Sequence, residues 1–403
     1  MSEIVLINVT GRDKPGLTSS LTAILARYQV NILDIGQAVI HDALSLGVLV
    51  EILPQDEPSS LLKDLVFRAY ELGVDIRFTP ISAADYARWV AQQERQRYII
   101  TLLGRQITAE HISRIAGVIS ANDLNIDDIT RLSARVPLEA GQRRQRGCIE
   151  LAVRGLARDP NAMRAEFMRI AGELGIDIAF QEDTFYRRHR RLVAFDMDST
   201  LIQQELIDEL ARAAGVGEEV ARLTASAMRG ELDFKESFRQ RLALIKGLRA
   251  EVLERIAAHL QLTEGAERLI AHLKLLGYKI AILSGGFTYF GRHLQQRLGI
   301  DYLYANELEI VDGRVSGQVQ GEIVDGQRKA QLLAQIAASE GIDLEQVIAV
   351  GDGANDLPML NIAGLGIAFH AKPLVREGAR QSISTVGLDG ILYLMGIRDR
   401  EAG

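Results

Sequence analysis

The sequence predicts an α/β protein: two small βαββαβ units, then a doubly wound parallel sheet with a helical insertion. Three observations predict it. The first half carries a weak internal repeat, in which IVLINVTGRDKPG (4–16) resembles YIITLLGRQITAE (98–110). The Gly-Arg pairs of the two copies are 93 residues apart, and Asn31-Ile-Leu-Asp-Ile matches Asn125-Ile-Asp-Asp-Ile at 94, so the register is almost kept. From 192 onward, short apolar runs bare of charge alternate with long helical stretches, as in parallel strands buried on both faces. Between the first two runs, about 203–265, lies a stretch rich in Ala, Leu, Glu and Arg that is too long for a simple crossover.

In the first unit the predicted elements are strand 3–10, helix 15–28, strands 31–41 and 45–53, helix 59–72 and strand 74–79. In the second they are strand 97–103, helix 108–121, strands 124–136 and 146–154, helix 161–173 and strand 176–181. The order is ferredoxin-like. Segment 82–96, around Trp89, reads as a linker that could be helical. The run Arg187-Arg-His-Arg-Arg191 separates the halves; it could bind an anion, but a solvated inter-domain junction is the favoured reading. In the last part LVAF (192–195), KIAIL (279–283), YLYA (302–305), VIAV (347–350) and LGIAF (365–369) read as strands of a Rossmann-like sheet. The stretch 203–265 reads as a helical cap over it. Between 306 and 323 polar and apolar residues alternate around Asp312-Gly313, a hairpin-turn signal. The implied domains are 1–82, 97–183 and 190–403.

Composition excludes several classes. With 403 residues, 47% apolar and 25% charged, the chain is neither disordered nor a stapled mini-protein. The single cysteine, Cys148, makes neither an intrachain disulfide nor a cysteine-based zinc site. A net charge of -7 argues against a nucleic-acid partner. The start shows no basic region followed by an apolar one, and the longest apolar runs fall far short of the ~20 residues of a membrane span. A cytoplasmic protein without a membrane partner is expected. Six of the eight prolines lie at or before Pro160, which hints that the halves are built differently.

Four clusters follow predicted strands, where open α/β sheets bind ligands. Asp196-Met-Asp198-Ser-Thr200 puts two carboxylates just past a buried strand, costly without a compensating cation or donors; a helix cap and turn is the alternative. Ser284-Gly-Gly286 offers a hydroxyl and amides to an anion, or is an ordinary turn. Lys329 heads a helix after the hairpin, where most lysines are merely solvated. Gly351-Asp352-Gly-Ala-Asn355-Asp356 crowds two more carboxylates, without the ligand spacing of a calcium loop. Taken together, the acidic groups supply oxygen ligands for Mg²⁺, and Ser284 and Lys329 supply donors for a phosphate. Asp196 can attack phosphorus, and Asp198 can protonate the leaving oxygen and then activate water.

The series D-x-D-x-T, strand-end Ser, Lys and G-D-x-x-N-D resembles the haloacid dehalogenase superfamily of phosphohydrolases over about 190–395, and within it the phosphoserine phosphatases. Gly11-Arg-Asp-Lys-Pro-Gly16 resembles the ACT amino-acid-sensing domain; the second unit has Gly104-Arg-Gln-Ile-Thr-Ala109, without the Pro-Gly. Two ACT-like units before such a phosphatase resemble the long, actinobacterial type. The resemblance implies Asp196 as nucleophile and Asp198 as acid/base. It implies Mg²⁺ held by Asp196, Asp352 and the Asp198 carbonyl. It gives the phosphoryl group to Ser284, Gly285, Lys329 and Asn355, with Asp356 and Thr200 orienting from behind. In the cap it implies Glu205 for the substrate ammonium, Arg241 for its carboxylate, and Met228 and Phe234 as an apolar lid. The implied reaction is hydrolysis of O-phospho-L-serine through an aspartyl-phosphate. The alternatives are another small amino-acid phosphomonoester or a serine-sensing regulatory protein. The ACT-like half implies a homodimer and an effector, L-serine first, at Gly11, Asp13, Gly16 and Asn31.

Overall fold

Alternation sets the first sheet. Val5, Ile7 and Val9 point inward from β1 (Glu3–Arg12), while the residues between them are partly open. Helix α1 (Leu17–Arg27) lays Leu17, Leu21 and Leu25 on that face. Strands β2 (Asn31–Ile40) and β3 (Ala43–Ile52) follow, then α2 (Pro58–Leu72) and β4 (Val74–Ile81). The order β2-β3-β1-β4 is antiparallel throughout. Burying each of these leucines and valines contributes roughly 1.5–3 kcal/mol. The computed structural model describes residues 3–53, 58–93, 95–137, 146–228 and 232–401, with the backbone alone at 58, 227, 228 and 234. The chain forms two compact units, Met1–Arg95 and Gln96–Gly403. The expected linker of the first is a helix, α3 (Ala83–Gln93).

The second unit opens with the repeat of that topology: β5 (Arg97–Gly104), α4 (Ala109–Ala121), β6 (Asn125–Arg131), β7 (Gly147–Arg154), α5 (Pro160–Leu174) and β8 (Asp177–Glu182), in the order β6-β7-β5-β8. Thr108 caps α4; Asp159 accepts from the Asn161 and Ala162 amides and caps α5, with Pro160 in its first turn. The strand expected over 124–136 stops at Arg131, and residues 138–145 lie outside those described.

The remainder builds a seven-stranded sheet. It starts with β9 (Leu192–Phe195), after which four helices form the cap: α6 (Leu206–Ala214), α7 (Gly217–Met228), α8 (Phe234–Leu244) and α9 (Glu251–Ala258). Then come α10 (Ala266–Leu275), β10 (Lys279–Phe287), α11 (Thr288–Leu298), β11 (Tyr302–Val311), β12 (Arg314–Gln320), α12 (Gly326–Ser339), β13 (Val347–Gly351), α13 (Leu357–Ile362), β14 (Leu365–Phe369), α14 (Pro373–Gly378), β15 (Gln381–Ile383) and α15 (Ile391–Leu394). The strand order is β12-β11-β10-β9-β13-β14-β15, parallel except for the β11–β12 hairpin. That hairpin turns at Asp312 and Gly313, both with positive φ (49° and 72°), as a two-residue turn matched to strand twist requires. It also carries the back of the cap: Gly247 and Ala250 amides donate to Val315 and Gly313 carbonyls, and the Val315 amide donates to Leu248. The cap leaves and re-enters the core on a short ribbon, where Gln203 donates to Gln261 O and Thr263 to Leu201 O.

The second βαββαβ unit and the seven-stranded sheet share one core: Leu103, Leu132, Cys148 and Ala179 pack in the same apolar cluster as Val193, Phe195 and Ile367. Polar groups lock the seam. Asp177 accepts from the Ser384 and Thr385 amides and the Thr385 hydroxyl. The Gln381 amide brackets Phe180, accepting from its N–H and donating to its carbonyl. Gln181 donates to Leu394 O. Asp399 accepts from the Ala134 amide, Arg268 and the Tyr393 hydroxyl.

Candidate active site

The strands β9 and β13 lie side by side, and the Asp196 amide donates to Val350 O, so both motifs that follow them emerge at one sheet edge. Asp196 Oδ1 accepts from the Met197 amide at 2.7 Å. The loop then turns at Ser199, whose φ of 54° is uncommon for a residue with a side chain. Its Oγ donates to Glu205 Oε2 at 3.0 Å, which ties the first cap residue to the catalytic loop.

Helix α12, capped by Asp325, delivers Lys329 into the middle of the cluster. Fully buried, its Nζ lies 2.9 Å from Asp196 Oδ1 and 2.7 Å from Asp356 Oδ1. Burial works against its charge, but the two carboxylates outweigh it and hold the ammonium well above the usual lysine range. Asp356 is fixed on its other oxygen by the Gly353 amide at 2.9 Å. A Cβ at Gly351 would sit 2.4 Å from its Cγ, so this approach requires glycine. Asp352 accepts from the Thr200 hydroxyl at 3.2 Å.

Oxygens of Asp196, Asp352 and Asp356 lie within 4.8 Å of one another. Burial, then repulsion from Asp196 and Asp356, pushes the Asp352 carboxyl up to about 8. Burial, then Asp196, pushes Asp356 up to about 7 despite Lys329. Asp198 is raised well above its ordinary value, by burial and then by Glu205 and Asp196; its Oδ2 accepts from the Leu206 amide at 3.3 Å, and its Oδ1 has no partner among the described residues. Such a cluster is short of positive charge.

On the neighbouring strand, the fully buried Ser284 accepts at Oγ from the Gly286 amide at 2.9 Å. A Cβ at Gly286 would come within 2.8 Å of the Met197 methyl and 3.1 Å of Asp198 Oδ2, so glycine lets the two loops meet. Asn355 is half-buried beside Gly353. In the cap, burial and then Asp196 raise the Glu205 carboxyl, while Arg241 on α8 eases it; burial pulls the Arg241 guanidinium down against Glu205 and Asp208. The expected lid residues Met228 and Phe234 fall outside the described side chains.

Two residues of the site escape the motif reading. Asn306 is buried, donates to Gly285 O at 2.8 Å and accepts from the Val324 amide at 2.9 Å, so it joins the Ser284 turn to the segment leading into α12. Its signal was a lone amide at the end of an apolar run, YLYAN. Lys235 on α8 pairs with Asp325 at 2.9 Å, linking the cap to the cap residue of the Lys329 helix. In the first unit, Gly11, Asp13 and Gly16 gather where β1 meets α1, but Asn31 pairs with Glu51 while Gly11 pairs with Leu44. At about 3.3 Å per residue Asn31 stands roughly 20 Å away, at the other end of the sheet, so one chain does not assemble these four into a single site.

Comparison with known proteins accounts for nearly the whole chain. Residues 3–79 and 97–181 match ACT domain models, and 193–361 match the haloacid dehalogenase-like hydrolase model. A phosphoserine phosphatase of Streptomyces coelicolor is 43% identical across 98% of this chain and 93% of that protein. One from Mycobacterium tuberculosis is 40% identical over the same shares. Among solved structures, a probable phosphoserine phosphatase from Vibrio cholerae in unliganded form is 35% identical and aligns with a TM-score of 0.59 over 76% of this chain and 87% of that one. This chain is an enzyme of the phosphoserine phosphatase family, with two ACT domains and a haloacid dehalogenase-like hydrolase domain.

Proposed function

We propose that the enzyme hydrolyses O-phospho-L-serine to L-serine and phosphate with Mg²⁺, through an aspartyl-phosphate on Asp196. The observation that carries this reading is the convergence of Asp196, Lys329, Asp352 and Asp356, from three separate motifs, on one buried point. The residues fit a hard divalent cation, because the donors are all oxygen and the carboxyls are pushed upward by burial and then by mutual repulsion. Asp356 is already engaged by Lys329 and an amide, so Asp196 and Asp352, with the Asp198 carbonyl, would hold the metal. The bound ion would supply charge to offset the phosphoryl oxygens.

An Asp196 carboxylate oxygen attacks phosphorus as the bond to the serine oxygen breaks. Asp198, whose surroundings favour the protonated form, gives its proton to that oxygen. It then takes a proton from water, whose oxygen attacks phosphorus and frees Asp196. Lys329, Ser284, the Gly285 amide and Asn355 stabilise the equatorial oxygens, and Thr200 and Asp356 position their neighbours. Glu205 meets the ammonium and Arg241 the carboxylate.

Steady-state assay on O-phospho-L-serine tests this. Turnover with Mg²⁺ should vanish in EDTA, and Asp196→Asn should lose on the order of 10⁴-fold or more in kcat; near-normal activity in that variant would remove Asp196 as nucleophile. Arg241→Ala should raise KM by roughly 10- to 100-fold, the worth of a charged hydrogen bond, while kcat/KM on a phosphate ester without a carboxylate stays unchanged. Comparison with O-phospho-L-threonine separates the nearest alternative substrate. The regulatory half is proposed to take an amino acid, L-serine first, across a homodimer. The exposed Ile32, Ile35, Val39 and Ile40 on edge strand β2 support a second copy there, which would also bring Asn31 of one chain toward the Gly11–Gly16 turn of the other. The domain ranges 1–82, 97–183 and 190–403 and a cytoplasmic location belong to the same proposal. Among the described residues no helix is long and apolar enough to cross a membrane.

A further inference from the structure

The basic run at 187–191 is only in part the solvated junction the sequence favours: Arg188, His189 and Arg191 are exposed, but two of its arginines are not. Arg187 is 1% exposed and Arg190 7%. Beside them, between the second ACT domain and the catalytic sheet, lies a cavity of about 750 Å³. We propose that this cavity binds a small organic anion, a molecule with a phosphate-like or carboxylate head and an apolar body.

Its walls carry four arginines, Arg188, Arg190, Arg191 and Arg398, against two carboxylates, Glu150 and Glu401. Both carboxylates are already engaged: Glu150 by Arg187, and Glu401 by the Arg398 amide at 3.0 Å. The guanidinium groups are not used up. Arg190 donates one N–H to Glu345 O at 2.5 Å, and its buried Nε has no partner among the described residues. Burial pulls its pKa down to about 10 despite Glu345. Arg187 binds Glu150 through Nη2, while its buried Nε and Nη1 likewise lack partners. It packs against Gly396 in the cavity wall, where a Cβ would come within 3.0 Å of Nη1. A guanidinium has five donors, and leaving several unmet in a buried place is costly. The lining guanidinium groups of Arg188, Arg190, Arg191 and Arg398 can meet an oxyanion bidentately. Tyr278 and Leu276 supply the apolar side for the rest of the ligand.

The cavity is distinct from the catalytic centre. Arg190 and Arg191 precede β9, Tyr278 precedes β10 and Gln346 precedes β13, so it lies at the amino ends of the strands whose carboxyl ends bear Asp196, Ser284 and Asp352. Strands of this length set the two about 15 Å apart or more.

Isothermal titration of the full chain with naphthalene-1-sulfonate, 1-naphthoate and the neutral 1-naphthamide tests the proposal. At least one anion should bind, the two arms showing which head is preferred, and the amide should bind at least about tenfold more weakly. Arg190→Met should weaken anion binding by about tenfold or more, and the double variant Arg188→Ala/Arg191→Ala, on the open side, should do so even if the first folds poorly. Binding should persist when the Asp196→Asn enzyme is saturated with O-phospho-L-serine. No anion binding up to about 10 mM, equal binding of the amide, unchanged affinity in the double variant, or displacement by O-phospho-L-serine would each overturn it.

Discussion

The two ACT domains share a strand order and differ on one face of it. In the first, Thr10, Ser45, Asp75, Arg77 and Thr79 line the side of the sheet away from its helices, and all are exposed. The same register in the second holds Leu103, Cys148, Asp177, Ala179 and Gln181, and all are buried. The pattern along the strands changes accordingly: β1 alternates, while β5 is buried at every position after its first. The difference teaches that one fold serves two purposes. The second domain is a wall of the catalytic body, and the first keeps a polar face of its own.

Exchanging residues across that register breaks the comparison most severely. Ala179→Arg, which installs the residue of the first domain, should cost roughly 3–5 kcal/mol by burying an unpaired charge, read as a loss of soluble protein or a large fall in urea midpoint. Arg77→Ala, the reverse change, should stay within about 0.5 kcal/mol. Asp177 and Asp75 sharpen it further, being the same residue in the same place. Asp177→Ala strands the Ser384 and Thr385 amides and should cost roughly 2–4 kcal/mol, whereas Asp75→Ala should cost under about 0.5; equal effects would mean the seam does not hold. The smallest effect is on pH. Burial raises the Asp177 carboxyl despite Thr385, Ser384 and Arg376. Its folded state therefore keeps a proton that the unfolded chain has released, and stability should fall as pH rises from about 4 through the raised value, then level off. Asp177→Asn should remove that slope from urea midpoints measured between about pH 4 and 7.

Much of this was legible in the chain. LVAF, IAIL (280–283) and VIAV carry no charge because their strands are covered on both sides, and Asp312-Gly313 marks a turn that needs two positive φ angles. The same charge-free signal stood in YIITLLG, and it marked the buried seam of the second domain without being read so. Strand β15 was missed because three residues, Gln381–Ile383, make no pattern. The burial of Arg187 was hidden for another reason: its partner, Glu150, lies 37 residues earlier on a different strand. The Asp196, Ser284 and Asp352 motifs stood out because each lies at the end of its strand, whereas Asn306 acts through two backbone groups that only the fold brings near.

The hairpin that holds the back of the cap has a mechanical meaning. Residues 247–250 are stitched to the β11–β12 hairpin by three main-chain hydrogen bonds, each worth about 1 kcal/mol net. A lid swinging in one piece would have to tear all three, while bending ahead of Ile245 leaves them whole. An opening that keeps these bonds would be confined to the front of the cap, α6 to α8, where Lys235 pairs with Asp325, the residue capping the helix that bears Lys329.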